Sequence, residues 1–141
     1  MKILFVCTGN TCRSPMAEAF AQDYVKKHGL DVICKSAGLA AFESDKVSEN
    51  TIVSLAADGL SAVTTQPIRF TRELGEWADV IYVMSEQHLD FIKMRFSEFA
   101  DKTKLLGEGI PDPYGKDLNA YSECYRQLKW YIREVFDALR H

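Results

Sequence analysis

The sequence predicts an α/β protein: a four-stranded parallel sheet flanked by helices on both faces, with an anion-binding loop after the first strand. Three observations carry this. Short apolar runs alternate with longer stretches of helical periodicity, the pattern of right-handed strand–helix–strand crossovers. The first run, Ile3-Leu4-Phe5-Val6, leads into Cys7-Thr8-Gly9-Asn10-Thr11-Cys12-Arg13-Ser14-Pro15, a turn with five residues between its cysteine and its arginine. At the other end, Leu118, Tyr121, Tyr125, Leu128, Ile132, Val135 and Leu139 recur at alternating three- and four-residue steps, the stripe of a long amphipathic helix.

Taken in order, residues 2–6 read as a buried strand. Residues 14–28 read as a helix, with Met16, Ala17, Phe20, Tyr24 and Val25 on one face and Gly29 as its stop. Ser14 is expected to cap it, with Pro15 at the first helical position. Val32 to Ser36 is the second strand, ending at an Ala37-Gly38 turn. A second helix is expected from Ser48 to Asp58, capped by Ser48, with Ile52, Leu55 and Ala56 inward. Residues 60–70 read as a loop with one short extended piece. Thr71 caps a short helix ending at Trp77. Val80 to Met84 is a strand, and Ser85 caps a helix over residues 86–96. Lys104-Leu105-Leu106 is the fourth strand, and a Gly- and Pro-rich loop runs from Gly107 to Gly115. In the last helix, Trp130 and Tyr131 are expected to widen the core stripe.

The length of 141 residues suits one domain spanning 1–141, and 47% apolar content suffices for one core. A net charge of −3 leaves no basic footprint for nucleic acid and fits an anionic membrane surface poorly, so neither is an expected partner. The residues before Cys7 are too few for a signal segment or a membrane span. Cys7, Cys12, Cys34 and Cys124 form no C-x-x-C pair, and His28, His88 and His141 are scattered, so no metal site is expected. This cysteine usage points to a reducing, cytoplasmic compartment.

Thr8, Gly9 and Asn10 let the chain curl with its N–H groups inward, a nest for an anion. The following helix points its positive end into the loop, and Arg13 supplies a planar fork for two phosphate oxygens. That field favours the thiolate of Cys7, the nucleophilic form. The competing reading, a buried structural cysteine, explains Cys7 but not its pairing with Arg13. Cleavage by sulfur also needs a proton for the leaving group. Asp112, held between Pro111 and Pro113, has the restricted backbone that suits a general acid, although Asp-Pro and Pro-Tyr-Gly also form turns unaided.

Val6-Cys7-Thr8-Gly9-Asn10-Thr11-Cys12-Arg13-Ser14-Pro15-Met16-Ala17-Glu18, then Ser36-Ala37-Gly38, then Asp112-Pro113-Tyr114, resemble the low-molecular-weight protein tyrosine phosphatase family in order and spacing along nearly the whole chain. The resemblance implies a four-stranded parallel sheet flanked by helices and a phosphocysteine intermediate on Cys7. It implies that Arg13 and the amides from Thr8 to Arg13 hold the phosphoryl oxygens, and that Ser14 hydrogen-bonds the sulfur. Asn10 would hold the loop's shape with Ser36 as partner. Asp112 would protonate the leaving atom and then activate water. No cofactor or metal is implied, the partners are phosphorylated protein substrates, and the expected state is a monomer. Cys12 resembles the family's second loop cysteine, which can form a disulfide with Cys7 under oxidation; it is equally readable as a small space-filler.

Within the family, Thr11 is the sharpest residue. The tyrosine phosphatase branch usually carries a bulky apolar residue there, and threonine resembles the bacterial branch that acts on phosphoarginine. An aryl ring suits an apolar wall, whereas a guanidinium group has N–H groups to satisfy. Thr11 could also be a neutral variant. Phe42 and Tyr114 are candidate pocket walls, and Gly115 departs from members with a second aromatic there. The related arsenate reductases need two cysteines near residues 70–90, and this chain has none between Cys34 and Cys124. A non-catalytic phosphate-binding module would have no use for Asp112.

Overall fold

In the computed structural model, which describes residues 1–42 and 44–140, the strand Lys2–Cys7 (β1) is the middle of the molecule. Its neighbours are Ile33–Gly38 (β2) on one side and Val80–Val83 (β3) on the other, with Thr103–Leu105 (β4) beyond β3. All pairings are parallel, and the order is β2-β1-β3-β4. The helices are α1 (Arg13–His28), α2 (Glu49–Ala57), α3 (Arg72–Trp77), α4 (Glu86–Arg95) and α5 (Leu118–Leu139). His141 lies outside the described residues.

Strand alternation divides the core in two. Ile3, Phe5 and Cys7 point to the face covered by α1, α2 and α5, where they meet Met16, Leu55, Leu128 and Phe136. Leu4 and Val6 point to the other face, packing with Phe70, Ile92 and Phe99 from the α3 and α4 side. A strand buried on both faces reads as the unbroken apolar run seen in the sequence.

The expected stops and caps recur. Gly29 takes a left-handed conformation at the end of α1. Ser48, Thr71 and Ser85 each accept a backbone N–H at the start of α2, α3 and α4. Four local expectations are corrected. Ser14 is not the cap of α1: the helix begins at Arg13, with Cys12 at the cap position and no side-chain cap bond. The Ser14 hydroxyl is used inside the loop instead, as described below. On α2, Thr51, Ser54 and Leu55 face inward and Ile52 and Ala56 face solvent, because the polar side of this helix packs on the Cys7 loop. Trp130 is 60% exposed and lies outside the α5 stripe, whose buried members are Tyr121, Cys124, Tyr125, Leu128, Ile132 and Phe136. The segment before β4 is a 3-10 helix, Ser97–Lys102, which sets β4 one residue earlier than expected. One further boundary moves: Ala37-Gly38 continues β2, since Gly38 pairs with Cys7.

Among the described residues no helix is long and apolar enough to cross a membrane. No group of three or more His, Cys, Asp or Glu side chains could hold a metal ion there.

Candidate active site

The carboxyl ends of parallel strands share one rim, and loops from that rim build the ligand site in open α/β sheets. Here β1 delivers Cys7 to it, and the loop Thr8–Cys12 curls back over the start of α1. Asn10 takes a left-handed backbone, φ 55°, in the middle of the curl. Its side chain, fully buried, fixes that turn from three directions. Nδ2 donates to Ser14 Oγ at 2.7 Å and to Ser36 Oγ at 3.0 Å, and Oδ1 accepts the Ile68 N–H at 2.8 Å. Ser36 in turn donates to the buried Glu18 carboxyl at 2.7 Å. Burial raises the Glu18 carboxyl above its ordinary value, against the pull of the Ser36 bond.

Neighbouring segments clamp the loop backbone. Leu39 and Ala40 donate to the carbonyls of Cys7 and Thr8 at 2.9 and 2.8 Å. The Thr11 carbonyl accepts from Ser48 N–H and from Thr51 Oγ1, both at 3.0 Å. Gly38 leaves room for this: a Cβ there would lie 2.7 Å from Asn10 N and from Thr8 O.

Cys7 Sγ is buried, 2.9 Å from Ser14 Oγ. Arg13 is buried too. Its Nη1 donates to the Ile110 carbonyl at 2.9 Å, and its Nη2 lies 3.6 Å from the half-exposed Asp112 carboxylate. The arginine that closes the first loop therefore also anchors the loop after β4. Asp112 accepts the Tyr114 N–H at 3.1 Å, which shapes that loop locally. Cys12 Sγ has Tyr121 Oη at 3.3 Å and Thr11 Oγ1 at 3.4 Å. Burial and the contact with Cys12 push Tyr121 up to about 12. Burial likewise pushes the Cys34 and Cys124 thiols up to about 12, so both stay protonated and unreactive.

These elements enclose a cavity of about 300 Å³. Its floor is Cys7, Thr8, Gly9, Thr11, Cys12 and Arg13, and Asp112 overhangs it. Phe42 and Tyr114 form exposed aromatic walls, with Ala40, Asp45, Lys46 and Ser48 along the rim. The volume is at the low end for ligand pockets, enough for one phosphorylated side-chain head. Nine of the twelve residues singled out from the sequence meet here: Cys7, Thr8, Gly9, Thr11, Cys12, Arg13, Phe42, Asp112 and Tyr114. Asn10, Ser14 and Ser36 do not line the cavity; they lie beneath the loop as its hydrogen-bonded support. Sequence reasoning missed Ser48, Thr51, Lys46 and His88. The last lies at the rim end of β3, where the topology alone could have flagged it.

A sulfur and a guanidinium at the base of a small cavity, with a carboxylate above, are what thiolate attack on a phosphoryl group requires. Residues 2–141 match the family model for low molecular weight phosphotyrosine protein phosphatase. The chain belongs to this phosphatase family. It is a low molecular weight protein phosphatase with a cysteine nucleophile. A Bacillus subtilis relative named protein-arginine-phosphatase is 33% identical, over 99% of this chain and 97% of its own. A Staphylococcus aureus relative, low molecular weight protein-tyrosine-phosphatase PtpB, is 37% identical over 99% of both chains. The YwlE arginine phosphatase, solved as a C7S mutant with a phosphorylated active site serine, superposes with a TM-score of 0.94 at 33% identity, covering 99% of this chain and 96% of that one. The match of fold is close enough to place the whole family architecture on this chain, including the Cys-rich loop after β1.

Proposed function

We propose that this phosphatase removes phosphate from phosphoarginine on proteins. The observation that carries the reading is Thr11. Its side chain lines the cavity floor, and its backbone is clamped by Ser48 and Thr51, so a short hydroxyl-bearing residue is held where a bulky apolar one would give an aryl ring its wall. A guanidinium leaving group brings N–H donors into the cavity, and a polar floor with Asp112 above can accept them. Relatives named protein-arginine-phosphatase support the same choice.

In this reading Cys7 attacks phosphorus, a covalent bond to sulfur forms, and the bond from phosphorus to the guanidino nitrogen breaks. Arg13 and the loop amides hold the three phosphoryl oxygens. Asp112 gives its proton to the departing nitrogen, so the arginine side chain leaves as an ordinary guanidinium and water takes its place. Asp112 then takes a proton from that water as it attacks the thiophosphate, and inorganic phosphate leaves. Ser14, donating to the sulfur, eases its departure as a thiolate. The protein works as a monomer, without cofactor.

The second reading is phosphotyrosine hydrolysis by the same steps. Phe42 and Tyr114 are its favouring observation, since two aromatic walls can flank an aryl ring. A comparison of kcat/KM on phosphoarginine and phosphotyrosine proteins, with Thr11→Ile beside the wild type, separates them. Wild-type preference for phosphoarginine that Thr11→Ile moves toward phosphotyrosine is the expected result. Preference for phosphotyrosine in both proteins would overturn the arginine assignment.

A further inference from the structure

Of the buried titratable side chains not yet given a role, His88 touches the cavity floor through Thr8. His88 sits in the first turn of α4, just beyond the rim end of β3, and is 5% exposed. Its position is set by a capped helix start, because the His88 N–H donates to Ser85 Oγ at 3.3 Å. Nε2 lies 2.8 Å from Thr8 Oγ1, and Thr8 is both the residue after the nucleophile and part of the cavity floor. Nδ1 lies 3.3 Å from the Met84 backbone N–H.

These two contacts fix where the protons are. A backbone N–H can only donate, so Nδ1 accepts and carries no proton. In a neutral imidazole the proton is then on Nε2, and Nε2–H donates to Thr8 Oγ1. Burial, with the Arg13 guanidinium nearby, lowers His88 to about 4, so the ring is neutral near pH 7. A hydroxyl has two lone pairs and one proton. With one lone pair held by the imidazole, the Thr8 proton cannot turn back toward His88.

We propose that His88 is a positioning residue of the phosphatase reaction: it holds the Thr8 hydroxyl so that its proton faces the cavity and donates to the phosphoryl end of the substrate. The phosphoryl group is common to phosphoarginine and phosphotyrosine, so the inference rests on the family activity and not on the choice between them. Without His88 the hydroxyl is free to rotate, and its proton has no fixed direction when the substrate arrives. The ring itself touches no substrate, and its effect passes through Thr8 alone.

That last property sets the test. Steady-state kinetics on para-nitrophenyl phosphate would compare wild type with Thr8→Val, His88→Phe and the double variant. Each single change is expected to lower kcat/KM about tenfold, the scale of one hydrogen bond to a charged group. The double variant should be no slower than either single one, because both remove the same donor. His88→Gln, whose amide N–H reaches toward the place of Nε2–H, should restore activity to within about threefold of wild type. Losses that multiply in the double variant would overturn the proposal, as would an unaffected Thr8→Val or a His88→Gln as slow as His88→Phe. Should His88→Phe fail to fold, nitrogen-15 shifts of the wild-type ring at neutral pH decide the matter. The Nε2–H tautomer is expected, and the Nδ1–H tautomer or an imidazolium would overturn the proposal.

Discussion

Adding one methyl group at Gly38 tests whether the loop backbone is as tightly held as its hydrogen bonds imply. A Cβ at this position meets Asn10 N and Thr8 O at 2.7 Å and Gly9 C at 2.9 Å, all backbone atoms of the Cys7 loop. Ordinary contact begins near 3.4 Å, so something must retreat by 3.4 − 2.7 = 0.7 Å. β2 cannot be the part that yields. It pairs with β1 on one side, and on the other Gly38 N–H donates to Ile68 O while Gly38 O accepts Phe70 N–H, both at 2.8 Å. Gly38 has no positive φ, so the conflict is one of space and not of backbone conformation. Gly38→Ala should therefore push the loop away from the sheet. Overpacking of this kind costs about 1–3 kcal/mol of stability. A displacement near 1 Å at a reacting centre costs ~10²-fold in rate, so 0.7 Å should lower kcat/KM between about tenfold and about a hundredfold. Thermal unfolding and steady-state kinetics on the same preparation measure both. A Gly38→Ala protein within about twofold of wild type in kcat/KM would refute the idea of a rigidly clamped loop.

Asp112→Asn should lower kcat by about a hundredfold or more on substrates with poor leaving groups and by far less on activated aryl phosphates, since only the former need a proton as they depart. Equal losses across a leaving-group series would remove Asp112 as the acid. Glu18→Gln should alter the pH dependence of stability. The folded carboxyl is raised above its ordinary value by burial, so over that range the folded state keeps a proton that the unfolded chain has lost. Wild-type stability should then fall as pH rises from about 4.5 through the raised folded value, and the advantage of the Gln variant should grow over the same window. Thermal melts of both proteins from about pH 4 to 8 would show it, and parallel curves would mean that Glu18 does not titrate differently on folding.

The convergence of Cys7, Arg13 and Asp112 on one cavity was legible in the sequence because each rests on a local rule. Cys7 and Arg13 are tied by the strand–turn–helix grammar around one loop, and Asp112 is marked by its two prolines. The strands were legible for the same reason: a strand covered on both faces must be apolar at every position, as Ile3 to Val6 are. What escaped depends on contacts between distant segments. Ser14 has the composition of a helix cap, but Cys7 and Asn10 compete for its hydroxyl, and the buried partners win. Ile52 has the periodicity of an inward residue, yet α2 turns Thr51 inward, where its hydroxyl adds a second donor to the Thr11 carbonyl. Trp130 sits beside the α5 stripe in sequence but faces solvent. His88 looked like an isolated histidine because its partner, Thr8, is eighty residues away in the chain.

The parallel sheet has two rims, and the candidate site lies at one of them. Every strand enters at the opposite rim, where the turns Gly29 to Val32 and Ala78-Asp79 connect α1 to β2 and α3 to β3. From Lys2 to Cys7 is five residue steps, roughly 17 Å at about 3.3 Å per residue. An affinity tag, a fluorophore or a tether to a surface placed in the Gly29 turn would therefore stand a full strand's length from the sulfur. The molecule has, in effect, a handle and a working end. Attachment through the handle would leave the cavity open to folded protein substrates, whereas a label near Phe42 or Tyr114 would sit at their point of entry.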